Sequence, residues 1–343
     1  MPTYKLIYFP IRGRGEVARQ LLHLSGQPFE DSRIPMDKWP EYKPKTPFGQ
    51  MPVLEVDGKP LPQSFAIARY LAKEFGYAGK TDFEAAWVDA LGDQFKDYFN
   101  EIRPFLIVHY GFAEGDKAKL QKEVGEPARD KFYGILEKKA KENGSNGFLV
   151  GNSLTWIDLV IADHIDVVEG FIPGFLNAYP TLLANKTKVQ SLPKLKEWLD
   201  KRPVTKFLVN SSIYLEIPSR TIESSWNSYA GKDAFESAWV DALGDQFKDY
   251  VNEIRQFLVV CYGFAEGDKD KLQKDVEDNG NNGHLVGDSL TWVDIVIADH
   301  IQSLEKWLPG FFDSFPTAIA LRDSVFTIPK VKEWIEKRPD NPY

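Results

Sequence analysis

Apolar and polar positions along the chain change rhythm near residue 80. Before that point, strand and helix signals alternate over residues 3 to 75. The aromatic-rich run Tyr4 to Phe9 reads as a strand, and Glu16 to Ser25 has helical spacing until Gly26 stops it. Phe29 to Ile34 is a short extended stretch. Val53 to Val56 and Lys59 to Leu61 then flank Asp57-Gly58, a pair that favours a type I′ hairpin because both turn residues need positive φ. Ser64 caps a helix running to Phe75, stopped by Gly76. The predicted order is βαβ, then ββα.

From Asp82 the pattern is helical for over a hundred residues. Phe83 to Tyr110 repeats aromatics at helical spacing. Thr155 with Asp158 forms a capping box opening the helix that contains His164, and Trp198 sits in a closing helix that ends before Pro203. The text from Tyr77 to Pro203 then recurs from Tyr229 to Pro339, whereas residues 1 to 76 recur nowhere. Tyr77 to Val124 matches Tyr229 to Val276 at about 39 of 48 positions. Residues 125 to 140 have no counterpart, after which Asn143 to His164 matches Asn279 to His300, so the box returns as Thr291 with Asp294. A period over 130 residues long is a domain-sized repeat, not a solenoid. Residues 204 to 228 between the copies carry no clear period and read as a linker.

Composition narrows the class. A chain of 343 residues that is 43% hydrophobic can bury at least two cores. A net charge of −8 without a Lys/Arg stripe argues against a nucleic-acid partner. The one cysteine, Cys261, suits a reducing compartment. With no run approaching 18 apolar residues and no basic flank before an apolar stretch, the expectation is a cytoplasmic protein without a membrane span. Five scattered histidines and one cysteine offer no spaced metal-ligand set. His164 and His300 read as polar helix positions rather than acid-base groups.

Three short segments suggest chemistry. Gln50-Met51-Pro52 lies just before a strand, where a cis X-Pro bond exposes the preceding backbone to a peptide-like ligand. Gln63-Ser64 opens a helix, whose free N–H groups favour a carboxylate, although Ser64 alone reads first as an N-cap. Tyr8 ends the first strand ahead of a loop carrying Arg12 and Arg14.

In combination, YFPIRGRGE, TPFGQMPVLEVDG and LPQSFAIARYLA resemble the cytosolic glutathione transferases, in particular the sigma class with its nematode-type enzymes and haematopoietic prostaglandin D synthase. The resemblance implies an α/β thioredoxin-like domain over residues 1–76 and an all-α domain over 82–203. A linker at 204–228 and a second, truncated all-α domain over 229–343 would follow. It implies Tyr8 as the hydroxyl that stabilises the glutathione thiolate, with Arg14 as electrostatic support. Trp39, Lys43 and Gln50 would hold the glycyl end, and the backbone of Met51 beside Pro52 the cysteinyl unit. Gln63 and Ser64 would take the γ-glutamyl carboxylate. Glutathione is then a co-substrate and no metal is needed. The physics agrees, since a free thiol with pKa near 8.5 is only a few per cent thiolate at neutral pH and donors to the anion raise that fraction.

Phe9, Phe95, Phe99 and Tyr110 are candidate walls of the electrophile site, though aromatics at this spacing more often form core. The sigma-like pattern also has an acidic residue reaching a partner subunit's glutathione. Asp93 fits it, with Asp245 as its copy. The implied activity is transfer of the glutathione thiolate to electrophilic or lipid-derived substrates, with peroxidase or prostaglandin isomerase as side activities. The alternative is a non-catalytic ligand-binding or crystallin-like relative, against which retention of Tyr8, Arg14, Gln63 and Ser64 argues. The second all-α unit departs from the family. A bundle missing a helix leaves apolar faces uncovered and should be less stable unless it packs on something. It either imitates a partner subunit in a pseudo-dimer, replacing an ordinary homodimer, or marks a fusion of tandem genes with only the N-terminal half functional.

Overall fold

A computed structural model of the chain describes residues 2–111, 113–203, 234–253, 292–307, 309–313 and 315–337. The expected linker, Cys261, Thr291 and the central part of the second repeat lie outside the described residues. The chain divides into two compact units, Met1–Thr221 and Ile222–Tyr343.

In the first unit, four short strands form one mixed sheet. Strand β1 (Tyr4–Tyr8) buries Tyr4, Leu6 and Tyr8, alternate positions of one face. Helix α1 (Glu16–Ser25) carries the chain over to β2 (Phe29–Arg33), which pairs parallel with β1 as a right-sized crossover requires. Gly26 ends α1 at φ 75°. A short helix α2 (Trp39–Tyr42) follows. Strands β3 (Val53–Val56) and β4 (Lys59–Pro62) form the predicted hairpin, with Asp57 at φ 49° and Gly58 at φ 76°, both positive as type I′ demands. The sheet order is β2-β1-β3-β4.

Helix α3 (Ser64–Phe75) corrects one expectation. Its N-cap is Gln63, which leaves helical geometry at φ 70°, ψ 119°, and no side chain caps it. Ser64 is therefore the first helical residue, carrying one of the donors a helix start leaves over. The sequence pattern cannot distinguish these two neighbours, because the break depends on how the chain leaves β4.

The helical part of the unit comprises α4 (Asp82–His109), α5 (Lys117–Leu120), α6 (Glu126–Glu142), α7 (Trp156–Phe171), α8 (Pro180–Ser191) and α9 (Pro193–Lys201). Helix α7 is the centre of the bundle, buried at ten positions from Trp156 to Val168. The capping box of Thr155 and Asp158 is present. Asp158 also accepts from the Leu149 N–H at 2.9 Å and from Asn185 at 3.3 Å, tying three segments to one helix start. Trp156 lies over Gly92 of α4. A Cβ there would stand 2.3 Å from the Trp156 ring, so only glycine admits this contact. His164, read as a polar helix position, is buried: its Nε2 lies 3.1 Å from the Tyr98 hydroxyl, with Phe95, Phe99 and Tyr133 around the ring.

A cluster of charges joins the sheet part to the helical part. Arg12, in the loop after β1, pairs with Asp163 and, at 3.0 Å, with Asp166 of α7. Arg202 reaches Glu16 at 2.7 Å, and Lys186 reaches Asp166 at 3.0 Å. Trp198 donates its indole N–H to Glu16 at 2.9 Å. Burial opposes the charge on Arg12, but Asp163 outweighs it and holds the guanidinium above its ordinary pKa. Removing one member of such a buried set leaves its partner uncompensated, at a general cost of about 3–5 kcal/mol.

In the second unit, α10 (Ala234–Glu253) is followed by described helices Trp292–Trp307, Pro316–Phe326 and Pro329–Lys337. Those three each begin and those at 292 and 329 also end 136 residues after the ends of α7, α8 and α9. Contacts repeat as well. Phe95 meets His164 edge-on at 5.1 Å and 84°, and Phe247 meets His300 at 5.1 Å and 83°. Glu169 accepts from the N–H groups of Gly174 and Leu176, as Glu305 does from Gly310 and Phe312. Its core gathers Ile301, Leu304 and Phe312. Trp334, at the position of Trp198, is 56% exposed. No described helix is long and apolar enough to cross a membrane.

Candidate active site

Strand register brings the candidate residues together at one end of the sheet. Ile7 pairs with Val53, and Val53 pairs with Pro62. Tyr8, which follows Ile7, Met51-Pro52, which precede Val53, and Gln63-Ser64, which follow Pro62, therefore leave the sheet side by side. The Met51–Pro52 peptide bond is cis, as the sequence suggested.

Tyr8 is fixed from several sides. Its hydroxyl accepts the backbone N–H of Arg14 at 3.1 Å. The side chain is buried and clusters with Phe9 and Ile11, against Met36, Trp39 and Met51. Rings of Tyr8 and Phe9, and of Phe9 and Trp39, are 5.5 Å apart in each case. Gly15 permits the arrangement, since a Cβ there would come within 2.6 Å of the Tyr8 ring. The hydroxyl is thus held at the start of α1, where backbone donors and the helix dipole favour negative charge.

The polar partners sit across from it. Gln63 donates to Gln50 at 3.1 Å, so two residues thirteen apart share one spot beside the start of α3. The Lys43 stem covers Gly49, its Cε 3.4 Å from where a Cβ of that residue would stand, which sets Lys43 beside Gln50. Gln63 holds an unusual positive φ for its type, a feature that clusters at ligand sites. The geometry sets the Tyr8 hydroxyl, the Met51-Pro52 backbone and the helix-start donors of α3 at one sheet end.

The remaining candidates lie elsewhere. Asp93 reaches Arg69 of α3 at 3.1 Å, with Asp89 on the same guanidinium at 3.3 Å. Phe95 and Phe99 contact His164 within the bundle, and Phe95 also lies 6.1 Å from Phe65, the residue after Ser64. Tyr110 packs on Phe171, and burial raises its hydroxyl pKa, so it is a neutral donor. Asp245 is a buried residue of the second unit.

A family model described as glutathione S-transferase, N-terminal domain, matches residues 4–73. Another, glutathione S-transferase, C-terminal domain, matches residues 99–202 and again 268–338. The chain belongs to the glutathione S-transferase family. It is 52% identical over 207 residues to a probable glutathione S-transferase 7 of Caenorhabditis elegans, and 52% identical over 207 residues to glutathione S-transferase 1 of Ascaris suum. Each match takes in 60% of this chain and all of the relative. A monomeric glutathione S-transferase of the hookworm Necator americanus aligns at 52% identity with a TM-score of 0.58, over 60% of this chain and 99% of that one. The fold is accordingly that of the family, a thioredoxin-like domain with a mixed sheet and a helical domain, with an additional helical region after them.

Two arginines absent from the sequence reading have guanidinium groups drawn out of water. Arg19 is fully buried and donates to the carbonyls of Phe9 and Ile11 at 3.2 and 2.8 Å and to Asp31 at 2.9 Å. It thereby pins the loop that follows Tyr8 to β2. An arginine amid the apolar positions of a helical pattern was the available signal. Arg103 of α4 is half-buried, and burial first, then the Arg14 charge, holds its guanidinium below its ordinary pKa.

Proposed function

We propose that the chain is a sigma-like glutathione transferase, in which the Tyr8 hydroxyl donates to the glutathione thiolate and Arg14 supplies positive field. The single observation that carries this reading is the convergence of Tyr8, Met51-Pro52 and Gln63-Ser64 at one sheet end through the Ile7–Val53–Pro62 register. Trp39, Lys43 and Gln50 hold the glycyl end, the Met51 backbone beside Pro52 pairs with the cysteinyl unit, and Gln63 with Ser64 takes the γ-glutamyl carboxylate. The electrophile enters on the Phe9 side, with Phe95, Phe99 and Tyr110 as further walls. Substrates are electrophiles, including lipid-derived ones, as in detoxification, and peroxide reduction or prostaglandin isomerisation use the same thiolate.

The domain limits are 1–76, 82–203, a linker at 204–228 and a duplicated, truncated helical domain at 229–343. The coincident helix positions and the second stretch matched at 268–338 support duplication. Asp93 contacts a partner subunit in a homodimer, or Asp245 takes that part in an intrachain pseudo-dimer, and the enzyme works in the cytoplasm.

The test is Tyr8→Phe with glutathione and 1-chloro-2,4-dinitrobenzene. Loss of one hydrogen bond to a charged group, about 1.5–3 kcal/mol, lowers kcat/KM at pH 7 by roughly ten- to a hundredfold. The pH-rate profile moves to higher pH. An unchanged rate and profile would sink the thiolate role.

A further inference from the structure

Glu16, the first residue of α1, is 1% exposed, so its carboxylate must find its partners inside the protein. Its two oxygens turn to different parts of the fold. Oε1 accepts the Trp198 indole N–H at 2.9 Å and the Arg202 guanidinium at 2.7 Å, binding the closing helix α9 and the residue after it. Gln20, one turn along α1, donates to the same oxygen at 3.4 Å. Oε2 stands 3.6 Å from the Arg19 guanidinium.

Arg19 carries the connection onward to Tyr8. Its terminal nitrogens donate to three carbonyls of the loop that follows Tyr8, those of Phe9 at 3.2 Å, Ile11 at 2.8 Å and Arg12 at 3.4 Å. These carbonyls lie outside any strand or helix and need such donors. Its Nε reaches Asp31 of β2 at 2.9 Å, and the guanidinium carbon lies 5.7 Å from the Tyr8 ring centroid. The residues before Glu16 touch Tyr8 directly: Gly15 abuts the ring, and the Arg14 N–H reaches the hydroxyl at 3.1 Å. Beyond Arg202, the nearest charge is Asp163 of α7 at 3.5 Å, which also pairs with Arg12. With Arg19 and Arg202 set against Glu16 and Asp31, the charges largely cancel at Tyr8. What the set supplies is placement.

Resting on the reading that Tyr8 donates to the thiolate, we infer that Glu16 is a positioning residue for the transfer reaction. It ties α9 to the start of α1 and, through Arg19, fixes the Tyr8 hydroxyl against the glutathione sulfur. A carboxylate is required, because only a group that accepts at both oxygens can take α9 on one side and Arg19 on the other.

Glu16→Gln tests this, since it keeps the shape but turns an NH2 towards donors on one side or the other. With glutathione and 1-chloro-2,4-dinitrobenzene, kcat/KM at pH 7 should fall about tenfold, as a slightly misplaced group costs. Because the loss acts through the thiolate, the rising limb of the pH-rate profile should move up by about one unit and the rate should recover at alkaline pH. In a Tyr8→Phe background the same change should add less than about twofold, because the hydroxyl it places is gone. An unmoved profile, or a loss of equal size with and without the Tyr8 hydroxyl, overturns the inference and leaves the thiolate role standing. An unchanged rate in Tyr8→Phe alone fails the thiolate reading, and the inference falls with it. If Glu16→Gln does not fold, Trp198→Phe removes a single donor and keeps a ring beside His23, whose centroid is 5.5 Å from that of Trp198. It should move the profile the same way by about half a unit, the worth of one ordinary hydrogen bond, and no movement overturns the inference.

Discussion

Tyr8 needs a neighbour with no side chain. The Gly15 position faces its ring so closely that a methyl group would overlap Cδ1 and Cγ, at 2.6 and 2.8 Å. Neither side gives way easily, since the ring is wedged among Phe9, Ile11 and the Arg19 guanidinium, whose carbon lies 5.7 Å from the ring centroid. Gly15→Ala should therefore cost about 1–3 kcal/mol of stability through overpacking. Because it pushes the hydroxyl off the Arg14 N–H, it should also lower kcat/KM by about tenfold or more. Urea midpoints and steady-state rates read the two effects separately. A stable variant with full activity would show that the hydroxyl's placement does not matter. The glycine was visible in the sequence as part of GRG, but its reason was not, because Tyr8 lies seven residues away on a different element.

At the scale of elements, α7 carries the bundle and also its pH sensitivity. Burial pushes His164 down to about 3, so the imidazole stays neutral beside Tyr98. The unfolded chain has an ordinary histidine pKa near 6.5. Below that value the unfolded state takes up a proton that the folded state refuses, so stability falls as pH drops from about 6.5 towards 3. By pH 4 the loss from this group is about 3 kcal/mol. His164→Gln removes the titrating group while keeping an amide for the Tyr98 hydroxyl. Its difference in unfolding free energy between pH 7 and pH 4 should be smaller than the parent's by about that amount. Equal acid slopes would mean that His164 is not held neutral. The capping box at the start of this helix was legible from Thr155 and Asp158 alone, since caps act within one turn. The burial of His164 was not, because it depends on aromatics from α4 and α6.

For the whole molecule, the question is what the second unit contributes. The first unit holds Tyr8, Arg14 and every proposed glutathione contact, and relatives are spanned in full by 207 residues. A chain ended after residue 207 should keep kcat/KM for 1-chloro-2,4-dinitrobenzene within about threefold of the full chain, less than one lost hydrogen bond would change it. A larger loss would show that the second unit completes the site. Light scattering on both proteins reads the association state. Equal association makes the second unit a bystander, whereas a dimer formed only by the shorter chain supports the pseudo-dimer. Trp334 illustrates what the repeat lacks. Its counterpart Trp198 bonds Glu16 at the start of α1, while Trp334 belongs to a repeat in which residues 1 to 76 have no copy.

By itself the sequence determined what acts over a few residues. Positive φ at Asp57-Gly58, the stops at Gly26 and Gly76 and the Thr155 box were readable because each depends on neighbours in the chain, and the near-verbatim repeat because it is a property of the text alone. Tertiary structure decided which similar residues serve which end. Phe9 stands beside Tyr8 while Phe95 and Phe99 line the bundle around His164. It also decided that Gln63 rather than Ser64 leaves the helix, and that Arg19 is sealed in by carbonyls. The physical reason is that burial and electrostatic partnership arise from strand register and helix packing, which join residues tens of positions apart.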